Sequence, residues 1–464
     1  MTHNSLPDPT IVVSGDAEST VRGIDGRAAK GGRLSRMEID SGALMFASIV
    51  NGILGLLFWA VAARTYPTAE IGKATTIINA AIMIGTLSNL SLNPMYERFL
   101  PESGKRGPRL ICGGHLLSAG VAGILGAGFV VFGPSDYLFD STMQKAVFPL
   151  CAIVLGAFAL DDSILIGLRR GRWTAAKNIF HAVSKLVIML TLASVGDSHF
   201  VVTSWVVPAA AAVVVVQGAI FVRGFGVRAE FDSVTSTLPR AKSLFRDFGS
   251  LYGIVVINSV APFLLPLMVV SALGVTDAAY FAMGWVMVSA VTLVMSMIAG
   301  PFVAESAARP HAIADLLKRQ VRLLLLVSGA GLFFLAVVAP FALRFVGADY
   351  ADEGTDLLRL MAVVQVLSVP GFLFGGLARI YRKLTYALIV QVSMAAAVTS
   401  AAWWQLPRLG IDAVGWSYLV MEFAMIAAVA IPLWRMSTAA LSTPVGALDS
   451  ESADNARSDD GRQL

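Results

Sequence analysis

Twelve apolar stretches divide this 464-residue chain, and their lengths restrict what it can fold into. Most of them have the ~20 residues with which a helix crosses the hydrocarbon core of a bilayer. Lipid cannot hydrogen-bond an open backbone, so such stretches must be helical. The sequence therefore predicts an all-α polytopic membrane protein with about twelve transmembrane helices. The stretches are 42–62, 74–93, 110–132, 146–168, 178–195, 201–222, 248–273, 278–304, 321–343, 356–377, 384–405 and 411–434.

Cationic residues alternate between the loops. The loops after the even-numbered crossings hold most of the loop Lys and Arg residues, and the loops on the other side hold few. Positively charged short loops stay in the cytoplasm. We therefore expect a multi-pass protein of the cell (inner) membrane with both termini in the cytoplasm.

Composition narrows the function classes. The chain is 56% hydrophobic and 14% charged, and its net charge of +4 is explained by the cytoplasmic loops, so nucleic acid is not expected as a partner. Cys112 and Cys151 fall within crossings and are expected to be packing residues rather than metal ligands. A phosphate-binding G-x-x-x-x-G-K-[ST] loop, an H-E-x-x-H motif and a C-x-x-C pair are absent, so neither an enzyme nor a cofactor is expected.

The charge and hydropathy pattern divides the chain into five segments. Residues 1–37 and 436–464 are polar tails, expected to be disordered in the cytoplasm, and residues 1–36 lack the apolar core of a signal peptide. A first lobe (38–222) and a second lobe (248–435) hold six crossings each. The linker 223–247 contains a basic amphipathic run, which favours an interfacial helix, with a regulatory binding segment as the alternative.

The two lobes resemble each other. Thr68 and Glu97 in the first lobe are as far apart along the chain as Thr276 and Glu305 in the second. Asn51 and Asn258 precede these threonines at nearly matching depths, and both are candidates to line a cavity. Six crossings return the chain to the same side, so the repeat is parallel and a substrate site is expected between the lobes.

Segments 51–59 (NGILGLLFW), 69–72 (AEIG) and 97–101 (ERFLP), with Arg64 between the first two, resemble the opening of the polysaccharide transporter family. These proteins are O-antigen and exopolysaccharide repeat-unit flippases of the MATE-like superfamily. The resemblance implies a V-shaped pair of six-helix lobes that moves a polyprenyl-diphosphate-linked oligosaccharide across the cytoplasmic membrane for lipopolysaccharide or exopolysaccharide biosynthesis. It implies membrane lipid and other polysaccharide-assembly proteins as further partners. About twelve helices, rather than fourteen, argue against a peptidoglycan precursor as cargo.

Three ionisable residues lie inside the first lobe. The free energy of inserting such a residue at the centre of a membrane helix is ~2.5–3.5 kcal/mol, so a structural or functional role is expected for each. Asp161 and Asp162 lie near the cytoplasmic end of the fourth crossing, and Lys185 is expected at a similar depth in the fifth. One interpretation is an ion pair between Lys185 and one aspartate that holds the two helices together. The other is a set of cavity charges that meets a diphosphate or an acidic sugar.

Glu422 is the carboxylate nearest the centre of a crossing. A carboxyl group buried alone is expected to keep its proton at neutral pH, because burial penalises the charged form. The residue could carry a coupling proton or bind a cation. Alternatively, it donates one structural hydrogen bond, with Gln391 or Gln365 as partner.

Two further side chains complete the set of site candidates. Arg64 ends the first helix at the outer face, where it would either draw the diphosphate toward the exit or reach lipid headgroups. Asn79 belongs to a polar stripe on the second helix, which would either line a cavity or join helices by hydrogen bonds.

Two other functions are open to the chain. A cation-coupled multidrug antiporter of the MATE type would be expected to carry an acidic residue in its first crossing, and 42–62 has none. A polysaccharide polymerase or ligase would be expected to have a large outer loop. The longest here, 344–355, is short.

Overall fold

The structure is a computed structural model that describes residues 36–192, 199–223, 263–308, 312–381 and 383–442. All regular secondary structure in these ranges is helical. A short helical turn, Ser135–Leu138, and two 3₁₀ turns, Leu100–Glu102 and Gly104–Arg106, lie in the loops of the first lobe. The helices of this lobe are α1 (Arg36–Thr65), α2 (Thr68–Ser88), α3 (Leu92–Phe99), α4 (Gly107–Phe132), α5 (Thr142–Gly167), α6 (Gly171–Leu192) and α7 (His199–Gly218), the last extended by a π-turn, Ala219–Arg223.

The described helices of the second lobe have more breaks than those of the first. Its fourth span is a bent pair of helices, joined at an angle of 40°. A π-turn, Phe334–Val338, interrupts its third span. The helices are α8 (Phe263–Leu273), α9 (Val275–Met297), α10 (Ala299–Ala308), α11 (Ile313–Phe333), α12 (Ala339–Val346), α13 (Ala348–Leu367), α14 (Val369–Ile380), α15 (Leu384–Leu409) and α16 (Asp412–Ser442).

The prediction of an all-helical polytopic membrane protein is confirmed. In the described part of the chain, nine helices are long and apolar enough to cross a membrane, and the bent pair α13–α14 adds a tenth. The positions of the fifth and seventh predicted crossings are occupied by α6 and α8. The linker 223–247 lies outside the described residues, apart from its first position.

Several helix boundaries differ from the sequence prediction, among them the following three. Helix α6 begins at Gly171 rather than at 178, because its first two turns are polar and fall outside a hydropathy window. Helix α2 ends at Ser88, since Leu90 and Ser91 adopt positive φ angles of 47° and 62° before α3 begins. Helix α16 continues to Ser442, beyond the boundary placed at 435.

Helix α5 is the centre of the first lobe and packs against α2, α4 and α7. Small residues allow this close packing. A Cβ on Gly85 would lie 2.7 Å from the backbone nitrogen of Gly156, so α2 and α5 touch backbone to backbone. Helix α1 packs chiefly along α6 and touches α2 little.

The lobes join where α2 and α9 begin. A Cβ on Gly72 would lie only 1.6 Å from the carbonyl oxygen of Val275. One hydrophobic cluster, which includes Ile71, Phe58, Phe281 and Leu343, spans both lobes. The opposite side, where α2 ends and α4 begins, is here called the basic-loop side.

On the basic-loop side each lobe has its own hydrophobic cluster. One cluster contains Leu92, Tyr96 and Ile164 of the first lobe, and the other contains Phe302 and Phe374 of the second. The described lobes are therefore joined on one side and have separate cores on the other. This geometry corresponds to a V whose mouth faces the basic-loop side.

Candidate functional site

Three basic residues form a row on one face of α6. Lys177, His181 and Lys185 are four residues apart, a spacing that places side chains on the same helix face. All three are buried, with exposed fractions of 5%, 7% and 6%. Their neighbours come from α1, α5 and α7, so the row points into the interior of the first lobe.

The end of the row nearest the basic-loop side is an ion pair. Lys177 Nζ lies 2.8 Å from Asp162 Oδ1 and 3.4 Å from the centre of the Phe158 ring, and it also donates to the Phe158 carbonyl oxygen. Asn178 Nδ2 donates to the same carboxylate at 3.3 Å. The Asp162 side chain is 31% exposed, so water or a ligand reaches this end.

The middle of the row is held by aromatic contacts. His181 Nε2 donates to the carbonyl oxygen of Trp205 at 3.0 Å. Its ring lies 4.8 Å from the Phe158 ring and 5.7 Å from the Trp205 ring, measured between centroids. These contacts connect the two lysines through a continuous aromatic wall.

The inner end of the row is the ammonium group of Lys185, which has no anionic partner in the described part of the chain. Lys185 Nζ lies 3.8 Å from the centre of the Trp205 ring and 5.4 Å from that of Phe58. No carboxylate among the described residues pairs with it. A desolvated cation–π contact contributes about 2 kcal/mol, which is somewhat less than the ~2.5–3.5 kcal/mol cost of placing a lysine at a helix centre. The arrangement suits an anion that completes the charge balance.

The predicted ion pair between Lys185 and Asp161 or Asp162 is wrong. Because α6 begins at Gly171, Lys177 is level with Asp162, and Lys185 lies two turns, or about 12 Å, further along the helix. Asp161 turns to the other side of α5, where His115 Nε2 lies 3.3 Å from Asp161 Oδ1.

Sequence reasoning missed Lys177 and His181. The crossing predicted at 178–195 leaves Lys177 in the preceding loop, but in the structure it is buried within α6. The signal that could have found both residues is the K-x-x-x-H-x-x-x-K spacing itself, because a loop has no reason to keep a helical period.

Within the described part of the chain, no hydrogen bond or ion pair joins the other candidates of the first lobe to the row. Arg64 is exposed at the end of α1, on the side where the lobes meet. Asn51 on α1 and Asn79 on α2 are half-buried. Asn258 lies outside the described residues.

Glu422 is buried on α16 with 9% of its surface exposed. Neither carboxyl oxygen accepts a hydrogen bond from a described residue, and Oε2 is fully buried. Gln365, one of its two predicted partners, instead donates to Thr292 Oγ1 at 2.7 Å. The carboxyl group therefore faces an apolar interior.

A separate cavity of about 310 Å³ opens in the first lobe, away from the basic-loop side. Its walls come mainly from apolar residues of α2, α5 and α7, such as Ile77, Phe148 and Val206. At its rim Lys73 Nζ lies 3.1 Å from Glu70 Oε1 and 2.8 Å from Asp140 Oδ1. The described residues contain no group of three or more His, Cys, Asp or Glu side chains that could hold a metal ion.

The fold matches that of solved transporters. The inward-facing conformation of a multidrug resistance MATE family transporter of the MOP superfamily aligns with a TM-score of 0.63 at 14% identity, over 85% of this chain and 96% of that chain. The outward-facing conformation of a multidrug resistance MATE family transporter of the MOP superfamily gives a TM-score of 0.55 at 13% identity, over 87% of this chain and 97% of that one. The MATE multidrug transporter DinF-BH, solved with a bound ligand, gives 0.56 at 14% identity, over 86% and 95%.

No protein-family model matches the chain, and no curated protein matches it. TM-scores of 0.63, 0.56 and 0.55 over most of both chains establish a common fold, and identities of 13–14% establish no more than the fold. The chain therefore has the two-lobed architecture of MATE-like transporters of the MOP superfamily.

Proposed function

We propose that this protein is a flippase that carries a lipid-linked, diphosphate-bearing oligosaccharide across the cell membrane for the synthesis of cell-surface polysaccharide. The observation that carries the proposal is Lys185, a buried ammonium with no carboxylate partner among the described residues. A phosphate oxygen is the type of group that a lysine binds as a point charge. A diphosphate would restore the charge balance at the inner end of the row.

The path of the cargo follows from the position of the row. The mouth of the V faces the basic-loop side, and the Asp162 end of the row is the exposed end. A diphosphate would first meet Lys177, compete with Asp162 for it, and then pass His181 toward Lys185. The glycan would stay in the polar space between the lobes, and the polyprenyl tail would remain in lipid.

Alternating access would move the cargo to the other side. The higher TM-score to an inward-facing transporter than to an outward-facing one agrees with a mouth on the basic-loop side. Separation of Gly72 from Val275 would open the opposite side, near exposed Arg64. Asn51 and Asn79, half-buried on the two helices that border the other lobe, would line the route.

The energy for this movement would come from an ion gradient or from downstream consumption of the product, since the sequence has no phosphate-binding loop of the ATPase type. Glu422 is a candidate site for the coupling ion in the second lobe, because its carboxyl group is buried and accepts no hydrogen bond from a described residue, so its loss of a proton would depend on access to water.

The proposal is tested with purified protein in vesicles that contain a fluorescent polyprenyl-diphosphate oligosaccharide. Exposure of the glycan to an external lectin should be faster than in protein-free vesicles. A cargo with the same glycan and tail but a neutral linker should lose most of this gain. Equal rates with and without protein, or equal rates for both cargoes, would contradict the proposal.

A second function, export of amphipathic cations, is favoured by the cavity of about 310 Å³. Its described lining combines apolar walls with the carboxylates of Glu70 and Asp140 and the ammonium of Lys73. Solved proteins of the same fold are multidrug transporters. If this function is correct, the vesicles should accumulate a cationic dye against a gradient, and Asp140→Asn should abolish accumulation without changing glycan exposure.

A further inference from the structure

Three polar side chains from three helices meet inside the first lobe, on the far side of α5 from the basic row. His115 of α4, Asp161 of α5 and Gln217 of α7 form this cluster. His115 Nε2 lies 3.3 Å from Asp161 Oδ1, and Gln217 Nε2 donates to the same oxygen. Asp161 is completely buried.

The donor and acceptor roles in the cluster indicate how many protons it holds. His115 Nδ1 lies 3.1 Å from the carbonyl oxygen of Ile111. A carbonyl oxygen only accepts, so Nδ1 carries the hydrogen, and Nε2 of a neutral ring is then an acceptor. An ionised carboxylate is also only an acceptor. The direct contact between Nε2 and Asp161 Oδ1 is therefore attractive only when the pair holds one additional proton.

When that proton is absent, the Gln217 amide can donate a hydrogen bond to both His115 and Asp161. Its amide nitrogen faces Asp161 Oδ1 and also lies 3.2 Å from His115 Nε2. An amide group has two hydrogens, so it donates one to each acceptor when the proton has left. The opposite orientation of the amide would place its oxygen against the carboxylate. In both protonation states Asp161 Oδ1 thus has a hydrogen-bond donor, while Asp161 Oδ2, which is buried, has none among the described residues.

The other titratable groups around Asp161 make no direct contact with its carboxylate. Tyr96 Oη donates to the carbonyl oxygen of Leu110 at 3.0 Å. Cys112 of α4 is a free thiol. Asp162 is paired with Lys177 on the α6 side. Lys177 is close enough to interact with Asp161 through its charge, but among the described residues only His115 and Gln217 make a direct polar contact with that carboxylate.

We propose that His115, Asp161 and Gln217 form a proton-binding site that takes up and releases one proton. The proton joins the His115–Asp161 pair on binding, and Gln217 bridges the two residues after its release. Because Asp161 adjoins the pair Asp162–Lys177, proton uptake removes a negative charge beside the basic row. If the chain moves an anionic cargo as proposed above, proton and cargo would favour each other's binding, because such coupling is reciprocal.

The site is tested by side-chain nitrogen NMR of the full-length protein, labelled at its five histidines, in lipid nanodiscs. His115→Gln identifies the signal. We expect His115 to change protonation in one step within the pH range in which the protein stays folded, and Asp161→Asn to abolish that step. His181 is the internal control, because it donates to a backbone carbonyl oxygen and no carboxylate of the described residues contacts it.

Two results would overturn the site: a His115 signal that never changes, or a step that Asp161→Asn leaves intact. If Asp161→Asn does not fold, Gln217→Met provides the second variant. It should keep the step but shift its midpoint, since the proton-free form loses its bridging donor; an unshifted midpoint contradicts the proposal. These spectra require no cargo, so failure of the flippase proposal and failure of the proton site remain distinguishable.

Discussion

The two lobes repeat a helical frame but bury different chemistry. Within the described residues, the first lobe buries Asp161, Lys177, His181 and Lys185, whereas the only buried charged residue of the second lobe is Glu422. At equivalent depth the second lobe uses neutral polar groups, which include Gln320, Gln365 and Ser417. A lobe with this arrangement of helices therefore packs without a buried ion pair.

This difference bears on function because each buried charge is costly. An ion pair in the interior often contributes no more to stability than apolar residues of similar volume. Since the second lobe needs no such pair, the charges of the first are better explained by a ligand than by packing. The lobes share an architecture, and we infer that the first lobe holds the cargo and proton sites.

The largest expected effect is on the inner end of the row. Lys185→Met keeps the length and apolar stem of the side chain but removes its charge. We expect the rate of glycan exposure to fall about 100-fold, which corresponds to the ~3 kcal/mol upper range for a hydrogen bond to a charged group. Measurement in the vesicle assay at low cargo concentration reports this loss.

The matched control lies in the second lobe. Arg408 rests 4.5 Å from the centre of the Trp404 ring, but that contact is exposed. Arg408→Met should leave the rate within about twofold, because exposed cation–π contacts contribute only ~0.5–1 kcal/mol. If both variants lose the same share of the glycan-exposure rate, the proposal that the cargo charge is bound in the first lobe is contradicted.

The Lys177–Asp162 pair, at the end of the row nearest the basic-loop side, is expected to contribute to the free energy of unfolding. Asp162→Asn leaves Lys177 buried without its counter-charge, and we expect a loss of about 2 kcal/mol in the free energy of unfolding. This is less than the ~3–5 kcal/mol for a fully buried pair, because Asp162 is 31% exposed. Denaturation in detergent measures the loss. The double variant Asp162→Leu/Lys177→Met should recover most of it, and no recovery would show that the pair is not the cause.

Adding one methyl group at the Gly72–Val275 contact is expected to shift the equilibrium between joined and separated lobes. Gly72→Ala places a Cβ against the backbone of Val275, which cannot yield as a side chain would. At a strain of about 1 kcal/mol, the population with the lobes separated at this point should rise about fivefold. Spin labels at exposed Lys105 and Lys318, on the basic-loop ends of the two lobes, should then report shorter distances.

Gly52→Ala is the control for that experiment. A Cβ at Gly52 on α1 meets no atom within 4 Å, so the distance distribution should not change. If both variants shift the distribution equally, the Gly72–Val275 contact does not set the position of the lobes.

The smallest effect is expected at Glu422. Glu422→Gln replaces a buried carboxyl group by a neutral group of similar shape, and we expect a change of less than about 0.5 kcal/mol in unfolding free energy, because volume-conserving changes are well tolerated. If Glu422 couples an ion, the pH dependence of glycan exposure should flatten in this variant. An unchanged pH dependence would leave the His115–Asp161 cluster as the candidate coupling site.

Most of the fold, but only part of the site, was accessible from the sequence. The apolar stretches predicted nearly every helix, since hydropathy is a local property. The prediction failed where a helix began with polar turns, as at Gly171, and this single error moved Lys177 into a loop. Lys185 was identified as a functional candidate, but its neighbours Trp205 and Phe58 are distant in sequence and carry no signal of contact.

What the sequence alone determined is the set of helices and the side on which the basic loops lie, because lipid imposes length and composition on every crossing separately. Only the tertiary structure decided which charges meet. Ion pairs form within about 4 Å, while one helical turn is ~5.4 Å, so the rotation and depth of each helix select the partner. That is why Asp161 faces His115, Asp162 faces Lys177, and Lys185 faces an aromatic ring.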